Sequence, residues 1–290
     1  MKVLVTGCNG FTGQYLVQEL ERSGYDVYGI GTRIIPSHKR FRVDLLDSER
    51  LNELVCTIKP DMIFHLAGIS FVATEDASLL YKTNLIGSYN LLHSISSAKC
   101  GHNGILIASS ANVYGSNAQG KVTEEVTPNP ISHYGISKLS MEKMAKLFDV
   151  PHVIARPFNY TGIGQNERFL IPKIVKCFKN KERTLELGNI EVSREFGDVR
   201  NVVNLYKKLL EQPLRGVTVN VCTEKPYKID DIIKKCNKIS GYMPEIVVSQ
   251  NFKRDNEINI LYGDRSKLET LVHVDHEDSI DKLLTWMLLN

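Results

Sequence analysis

The residues with the clearest chemical potential are a tyrosine and a lysine near the middle of the chain, with serine hydroxyls upstream of them. Tyr134 and Lys138 lie four residues apart, and Ser109 and Ser110 open the upstream segment 109–115. Residues four apart share one face of a helix, so the phenol and the ammonium group are expected side by side. Such a phenol can donate a proton to a carbonyl oxygen while a hydroxyl stabilises the developing charge. Lys138 should also lower the pKa of Tyr134, because its positive charge favours the phenolate.

A group of glycines near the start of the chain could hold a dinucleotide. Gly7, Gly10 and Gly13 stand between an apolar run at 2–6 and a helical pattern. Glycines there permit a tight turn and a close approach of backbone to a pyrophosphate, which then lies at the positive end of a helix dipole. The spacing differs from Gly-x-Gly-x-x-Gly, so an ordinary glycine-rich turn is the alternative. The position between a strand and a helix favours dinucleotide binding.

The segment after the second strand indicates which dinucleotide is preferred. NAD enzymes often carry an acidic residue about 20 residues beyond the glycines, where it binds the adenosine ribose. Here the segment 29–33 holds no carboxylate and ends in Arg33, which could face a 2′-phosphate. We therefore expect NADPH to be preferred over NADH, the alternative being that Arg33 is a solvated loop residue. Asp44, just past the third strand, is a candidate for the adenine amino group.

The elements that must position these groups alternate regularly. Apolar runs at 2–6, 26–29, 62–66, 105–109 and 152–158 predict strands, and helical spacing predicts helices at 13–21, 51–58, 79–95 and 134–148. Strands separated by helices imply a parallel sheet covered on both faces, because right-handed crossovers place a helix between successive parallel strands. The predicted fold class is α/β, with a doubly wound parallel sheet of the Rossmann type. In such a sheet, ligands bind outside the carboxyl ends of the strands.

The chain changes character after Asn159, which predicts a second domain. A basic stretch at 173–183 and short β runs at 184–187 and 218–221 follow. We expect residues 1–160 to form the dinucleotide-binding domain, joined by a returning segment at about 196–222. A smaller α/β carboxyl-terminal substrate domain is expected from about 161–195 and 223–290. A length of 290 residues suits this arrangement.

Composition argues against several classes of protein. Hydrophobic residues make up 42% of the chain and charged residues 24%, which suits a packed core rather than disorder. A net charge of +3, without a basic run of the kind that indicates a phosphate-backbone partner, argues against nucleic-acid binding. No stretch approaches the roughly 20 apolar residues of a membrane span, so we expect a cytoplasmic protein with no membrane contact. The six scattered cysteines and the isolated His65 predict neither disulfides nor a metal site, and His65 is expected to have buried partners.

Four segments of the chain occur together in one known family. They are residues 6–13, 65–68, 109–115 and 134–138, and through them the chain resembles the extended short-chain dehydrogenase/reductase family over essentially its whole length. Segments 156–165 and 194–200 are similar to the branch that acts on GDP-6-deoxy-sugars, which holds GDP-mannose 4,6-dehydratase and GDP-6-deoxy-D-mannose reductase. The motifs are closest to those of the reductase. The resemblance implies a catalytic set of Ser110, Tyr134 and Lys138.

The resemblance also implies a set of binding residues. Those expected to contact the cofactor are Gly7, Asn9, Gly10, Phe11, Thr12, Gly13, Arg33, Asp44, Leu45, Leu66, Ala67, Gly68, Tyr134, Lys138 and Pro157. Those expected to contact a nucleotide-sugar substrate are Ser70, Ser110, Asn159, Lys173, Arg194 and Arg254. Arginine suits the diphosphate because its planar guanidinium matches phosphate oxygens. Asn159 can offer both a donor and an acceptor to a sugar hydroxyl.

Chemistry separates the members of this branch. A 4,6-dehydratase needs an acid/base carboxylate beside the hydride site, because it must remove a proton next to the C4 ketone. Family dehydratases place acidic residues after the serine, whereas here Ser110 is followed by Ala111 and Asn112. We therefore expect a reductase that uses NADPH on the C4 ketone of a nucleotide-linked 4-keto-6-deoxyhexose. GDP-4-keto-6-deoxy-D-mannose is the first choice of substrate, in deoxysugar and polysaccharide biosynthesis.

Two alternatives to a reductase stay open. An NAD-retaining sugar-nucleotide epimerase would use the same serine, tyrosine and lysine. A non-catalytic dinucleotide-sensing protein would share the fold, but it could dispense with the Tyr134 and Lys138 pair that this chain retains. A homodimer is expected for either enzyme.

Overall fold

The structure is a computed structural model that describes residues 1–70, 76–249, 258–275 and 279–290. The first half contains β1 (Lys2–Thr6), α1 (Phe11–Arg22), β2 (Asp26–Gly31), β3 (Arg40–Arg42), α2 (Ser48–Ile58), β4 (Met62–His65), α3 (Ala77–Tyr81), a π turn (Lys82–Ile86), α4 (Gly87–Ser97), β5 (Ile105–Ala108), β6 (Gly120–Val122), α5 (His133–Ala145) and β7 (His152–Pro157). Two short 3₁₀ turns, Ala111–Val113 and Gly115–Asn117, follow β5.

The second half begins after β7 and is built from shorter strands. It contains β8 (Tyr160–Thr161), α6 (Leu170–Asn180), β9 (Thr184–Leu187), β10 (Ser193–Glu195), β11 (Gly197–Asp198), α7 (Val199–Leu210), β12 (Val217–Val221), β13 (Pro226–Lys228), α8 (Ile229–Ser240), β14 (Glu245–Val248), β15 (Ile260–Gly263), α9 (Ser266–Leu271) and α10 (Ile280–Leu289). No described helix is long and apolar enough to cross a membrane.

A seven-stranded parallel sheet organises the fold, in the order β12-β7-β5-β4-β1-β2-β3. The chain builds β1, β2 and β3 outward, then returns to place β4 on the other side of β1 and continues to β12. The strand order therefore reverses between β1 and β4, and the carboxyl ends of these strands border a crevice at this point. The predicted doubly wound α/β fold is confirmed.

Apolar side chains on both faces of the sheet explain why helices cover both. Strands β4 and β7 are buried along their whole length. One core lies between the sheet and helices α1, α7 and α9, and the other lies between the sheet and α2, α4 and α5. Buried parallel strands of this kind read as continuous apolar runs, which is the signal that located them in the sequence.

The helix predicted at 79–95 contains an irregularity that spacing does not reveal. Residues 77–97 are helical throughout, but the turn Lys82–Ile86 is π-helical. The wider turn buries the side chain of Asn84, which is paired with the backbone of the loop after β4. Helix α5 also ends at Ala145, three residues before the predicted end, because the chain then closes into tight turns.

The remaining elements form a second packed unit. Helices α6, α8 and α10 share a core with β9, and β9 pairs with β14. Strands β13, β10, β15 and β6 form a separate four-stranded sheet. After β11 the chain returns to the main sheet through α7 and β12, and β12 pairs with β7. The bounds proposed for the two domains stay a prediction.

Candidate active site

The glycine segment after β1 allows two loops and a helix to meet closely. Gly7 has φ +69°, and a Cβ added there would lie 2.9 Å from the backbone N of Ala67. A Cβ on Gly13 would lie only 2.1 Å from the carbonyl oxygen of Gly7. The N-cap of α1 is Gly10, whose lack of a side chain leaves the first amides of α1 uncapped. This cradle of backbone N–H groups fits a dinucleotide pyrophosphate.

Asn9 attaches the glycine segment to the loop after β2. Its Nδ2 donates to the carbonyl oxygen of Arg33 over 3.1 Å. A Cβ on Gly31 would lie 2.4 Å from Asn9 Oδ1, so glycine is needed for this approach. The Arg33 side chain is exposed, as is Asp44, whose carboxylate accepts from the backbone N of Leu46 over 3.0 Å. The loop is thus held by its backbone, and its arginine side chain is presented to solvent.

Leu45 lies in the core, unlike its neighbour Asp44. It is 5% exposed, and a Cβ on Gly87 would lie 2.9 Å from its side chain. Its carbonyl oxygen accepts from Asn90 Nδ2 over 2.8 Å. The structure therefore buries the Leu45 side chain under α4, and its expected cofactor contact stays a prediction.

A hydrogen-bonded chain fixes the loop after β4. The backbone N of Ala67 donates to Thr6 Oγ1 over 3.1 Å, and Thr6 Oγ1 lies 2.8 Å from His65 Nδ1. His65 Nε2 lies 2.7 Å from Ser88 Oγ, which donates to the carbonyl oxygen of Asn84. Because the Ser88 proton is committed, Nε2 carries the ring proton and Nδ1 accepts from Thr6. His65 is a buried histidine with both nitrogens paired, as expected, and burial lowers its pKa to about 3.

Asn84 connects this loop to helix α5. Its Oδ1 accepts from the backbone N of Ile69 over 2.8 Å, while Nδ2 donates to the Ile69 carbonyl oxygen and to Ser137 Oγ. A Cβ on Gly68 would lie 2.9 Å from Asn84 Oδ1 and 3.4 Å from Lys138 Nζ. The expected cofactor loop 66–68 therefore passes directly over the expected catalytic lysine. Ser70, at the end of this loop, is exposed.

Ser110, Tyr134 and Lys138 lie together at the carboxyl edge of the sheet. Ser110 follows β5, and the other two occupy successive turns of α5. Their exposures are 6%, 7% and 5%, so each group is nearly removed from solvent. Ser110 lies close enough to the Tyr134 hydroxyl to act on the pKa of that phenol, and Lys138 Nζ donates to the carbonyl oxygen of Ala108 over 2.8 Å.

Burial controls the ionisation of this group. It raises the pKa of Tyr134 to about 12, against a lowering contribution from Ser110, and it lowers the pKa of Lys138 to about 8. The expectation that Lys138 lowers the phenol pKa is therefore wrong: desolvation, which spacing cannot reveal, sets the direction. Tyr134 keeps its proton at neutral pH. It is thus suited to donate that proton to an oxygen in the crevice.

An ion pair beneath the lysine was not predicted. Glu142 binds Arg156 of β7 in a bidentate manner, with Nε–Oε1 at 2.9 Å and Nη2–Oε2 at 2.6 Å, and both side chains are buried. Ser109 Oγ also donates to Glu142 Oε1. The carboxylate charge acts against the desolvation of Lys138. A sequence signal existed, since Tyr134, Lys138 and Glu142 follow one another at intervals of four.

Tyr160 is a second residue that sequence reasoning missed. Its hydroxyl shares a hydrogen bond of 2.8 Å with Thr12 Oγ1, and its ring stacks on Phe11 with centroids 6.2 Å apart. It also raises the pKa of Tyr134, so it lies near that phenol. Tyr160 thus joins the start of α1 to the segment after β7. That segment begins with Pro157, buried at the end of β7, and Asn159, which is exposed beside it.

The expected diphosphate ligands lie in the second unit. Lys173 lies half-buried in α6, and Arg194 lies half-buried in β10 with Nη1 donating to the carbonyl oxygens of Ser193 and Asn259. Arg254 lies outside the described residues. The described contacts do not bring Lys173 or Arg194 to Ser110 or Tyr134. No cluster of metal-ligating side chains occurs among the described residues.

One family model and several known proteins are similar to this chain. A model described as the NAD dependent epimerase/dehydratase family matches residues 3–222. The chain is 33% identical to a GDP-6-deoxy-D-talose 4-dehydrogenase from Aggregatibacter actinomycetemcomitans, covering 95% of this chain and 92% of the relative. It is 31% identical to a GDP-6-deoxy-D-mannose reductase from Pseudomonas aeruginosa, covering 92% and 89% respectively. The structure of RMD from Pseudomonas aeruginosa complexed with NADPH matches with a TM-score of 0.86 at 28% identity, over 99% of this chain and 97% of that one.

Because Glu142 and Arg156 form a buried ion pair, we expect Glu142→Gln to lower the free energy of unfolding by a large amount. The substitution leaves the Arg156 guanidinium buried without its carboxylate, which costs about 3–5 kcal/mol in such pairs. Urea denaturation followed by circular dichroism measures the change. The control is Glu167→Gln, which breaks the exposed Lys176–Glu167 pair and should cost at most about 1 kcal/mol. Equal losses in the two variants would contradict a structural role for the buried pair.

Proposed function

Since the chain belongs to the NAD dependent epimerase/dehydratase family, we propose that it reduces the C4 ketone of a nucleotide-linked 4-keto-6-deoxyhexose with NADPH. GDP-4-keto-6-deoxy-D-mannose is the first candidate substrate. The observation that carries the proposal is the meeting of Ser110, protonated Tyr134 and Lys138 at the crevice, where Ala111 and Asn112 stand instead of an acid. Such a site can donate a proton, but it offers no carboxylate after Ser110 for the proton removal that elimination needs.

The chain's own residues have distinct parts in this reaction. A bound nicotinamide dinucleotide supplies the hydride. Tyr134 donates its proton to the C4 oxygen as charge develops there, and the Ser110 hydroxyl donates a hydrogen bond to the same oxygen. Lys138, held by the Ala108 carbonyl and lying under Gly68, binds the nicotinamide ribose. Burial excludes water from these three groups and strengthens each interaction.

The phenol is in the state that the proposed reduction uses. The two curated relatives are named as a 4-dehydrogenase and a reductase of GDP-6-deoxyhexoses, which is redox chemistry on one class of substrate. A ketone takes up a proton as it is reduced, and burial holds Tyr134 in the neutral form that can donate one. The reverse reaction would use the same three residues, with the phenolate as the base.

NADPH is the proposed cofactor, because the loop after β2 offers a cation and no carboxylate. Arg33 is exposed, and its backbone is fixed by Asn9. A guanidinium can bind the dianionic 2′-phosphate through two parallel hydrogen bonds, which NADH cannot provide. An epimerase would retain NAD through its cycle, so tightly bound NAD in the purified protein would favour that alternative.

We also propose a cytoplasmic homodimer. Ile86 and Tyr89, on the helical segment 77–97, are 47% and 45% exposed. Ile136 and Leu147, in and just after α5, are 39% and 84% exposed. The Tyr89 ring contacts that of Phe148, with centroids 5.7 Å apart, so apolar surface runs between the two helices. A second copy would remove this surface from water, and sedimentation equilibrium measures the resulting mass.

A panel of 4-keto sugars tests the proposed activity. The purified protein should oxidise NADPH with GDP-4-keto-6-deoxy-D-mannose, and more slowly or not at all with dTDP-, UDP- and CDP-linked 4-keto sugars. Absorbance at the NADPH band follows the reaction, and mass spectrometry identifies the product. Incubation of GDP-mannose with either oxidised cofactor should release no water. Appreciable dehydration of GDP-mannose would eliminate the reductase proposal.

The phenol assignment predicts that Tyr134→Phe lowers turnover by about 10²–10⁴-fold while leaving NADPH affinity nearly unchanged. The variant loses only the proton donor. Lys138→Ala should reduce both turnover and NADPH affinity, because the lysine also binds the cofactor. Steady-state kinetics and fluorescence titration with NADPH measure these quantities. Tyr81→Phe, which removes a hydroxyl bonded to His133, is the control and should turn over normally. Normal turnover in folded Tyr134→Phe would disprove the catalytic assignment.

The cofactor assignment predicts that Arg33→Ala narrows the preference for NADPH over NADH. Loss of a charged phosphate contact is worth roughly 1.5–3 kcal/mol, or about tenfold or more in affinity. Arg33→Lys keeps the charge but not the planar fork, so its preference should lie between those of the wild type and Arg33→Ala. Titration of each variant with both cofactors gives the ratio. NADH binding as tightly as NADPH in the wild type would show that the assignment is wrong.

A further inference from the structure

Asn112 makes two hydrogen bonds to the proposed catalytic serine. Its backbone N donates to Ser110 Oγ over 3.2 Å, and its side-chain Nδ2 donates to the same oxygen over 3.0 Å. A serine hydroxyl has two acceptor lone pairs and one proton. Asn112 therefore occupies both acceptor positions of Ser110 and leaves only the proton available to other groups.

The two bonds from Asn112 leave the Ser110 hydroxyl with only its proton to offer to another group. Tyr134 lies beside this hydroxyl, since Ser110 lowers the pKa of the phenol. The serine proton can therefore point to the place where the phenol oxygen, and the substrate oxygen beside it, would lie.

The backbone that carries the Asn112 amide is fixed on two sides. Its residue is the middle of the 3₁₀ turn Ala111–Val113, which is closed by the backbone N of Val113 donating to the Ser110 carbonyl oxygen. Helix α5 presses on the same turn, since a Cβ on Gly135 would lie 2.7 Å from the Asn112 carbonyl oxygen. Asn112 itself is exposed at the crevice. The backbone is fixed while the side chain borders the site.

We propose that Asn112 is a positioning residue that makes Ser110 an obligate hydrogen-bond donor to the C4 oxygen of the sugar. The inference rests on the proposed function for the identity of that oxygen. An amide N–H at position 112 donates to the serine oxygen and leaves the serine proton for the substrate. A carboxylate at the same position would instead accept the serine proton, because a carboxylate only accepts. The neutral amide therefore has a role beyond the absence of a carboxylate. It sets the direction of the Ser110 hydrogen bond that ketone reduction requires.

The isosteric variant Asn112→Asp tests this polarity. We expect turnover to fall about a hundredfold, the usual effect of losing one donor to a developing oxyanion, with NADPH affinity unchanged. Asn112→Ala should lose less, because Ser110 is then free to rotate toward the substrate. In a Ser110→Ala background, Asn112→Asp should have little further effect. Asn52→Asp, which adds the same charge on the exposed face of α2, is the control and should keep wild-type turnover.

A second measurement needs neither substrate nor cofactor. In protein labelled with ¹⁵N-asparagine, the Asn112 side-chain amide is the pair of resonances lost in Asn112→Asp. We expect one of its protons to move upfield and exchange faster with water in Ser110→Ala. An unchanged resonance would overturn the proposal even if no sugar in the panel reacts. Normal turnover in Asn112→Asp would also overturn the proposal. So would an equal fall in turnover when Asn112→Asp is added to Ser110→Ala. A shifted resonance in a protein that turns over no sugar in the panel would contradict only the proposed substrate.

Discussion

Helix α5 buries a polar face against the sheet, and the surrounding elements supply partners for its polar groups. Tyr134, Ser137, Lys138 and Glu142 are all buried on this helix. A polar group removed from water costs free energy unless it gains a partner, and a charged group costs more. Three have a hydrogen-bond partner: Asn84 for the serine, the Ala108 carbonyl for the ammonium group, and Arg156 for the carboxylate, while the phenol lies beside Ser110.

These partners come from elements that are distant in sequence. The Ser110 loop follows β5, Arg156 lies in β7, and Asn84 lies in a π turn between α3 and α4. Asn84 also holds the loop after β4, and that loop packs on the glycines after β1. The glycine segment after β1 and the Tyr134 phenol are thus parts of one network of contacts.

The sequence was sufficient for the features that depend on local spacing. Apolar runs located β1, β2, β4, β5, β7 and β12 of the main sheet, and the interval between Tyr134 and Lys138 correctly placed both on one helix face. It was insufficient where an interaction crosses the fold. Nothing near Glu142 indicates that Arg156 will face it across β7, and nothing near Tyr160 indicates Thr12. The predicted direction of the Tyr134 pKa shift was wrong for the same reason. Desolvation depends on all the residues that surround the phenol rather than on one neighbouring lysine.

The place of β12 in the sheet has a consequence for how the chain folds. Strand β7 pairs with β12 along its length, but the second unit's β8, α6, β9, β10 and β11, and then α7, lie between them in the chain. During synthesis β7 is therefore an edge strand, with six residues destined for burial and no partner on one side. Non-local pairing of this kind slows folding, and an unpaired edge attracts other chains. The main sheet is complete only when β12 pairs with β7, and β12 lies beyond the segment that interrupts the sheet in the chain.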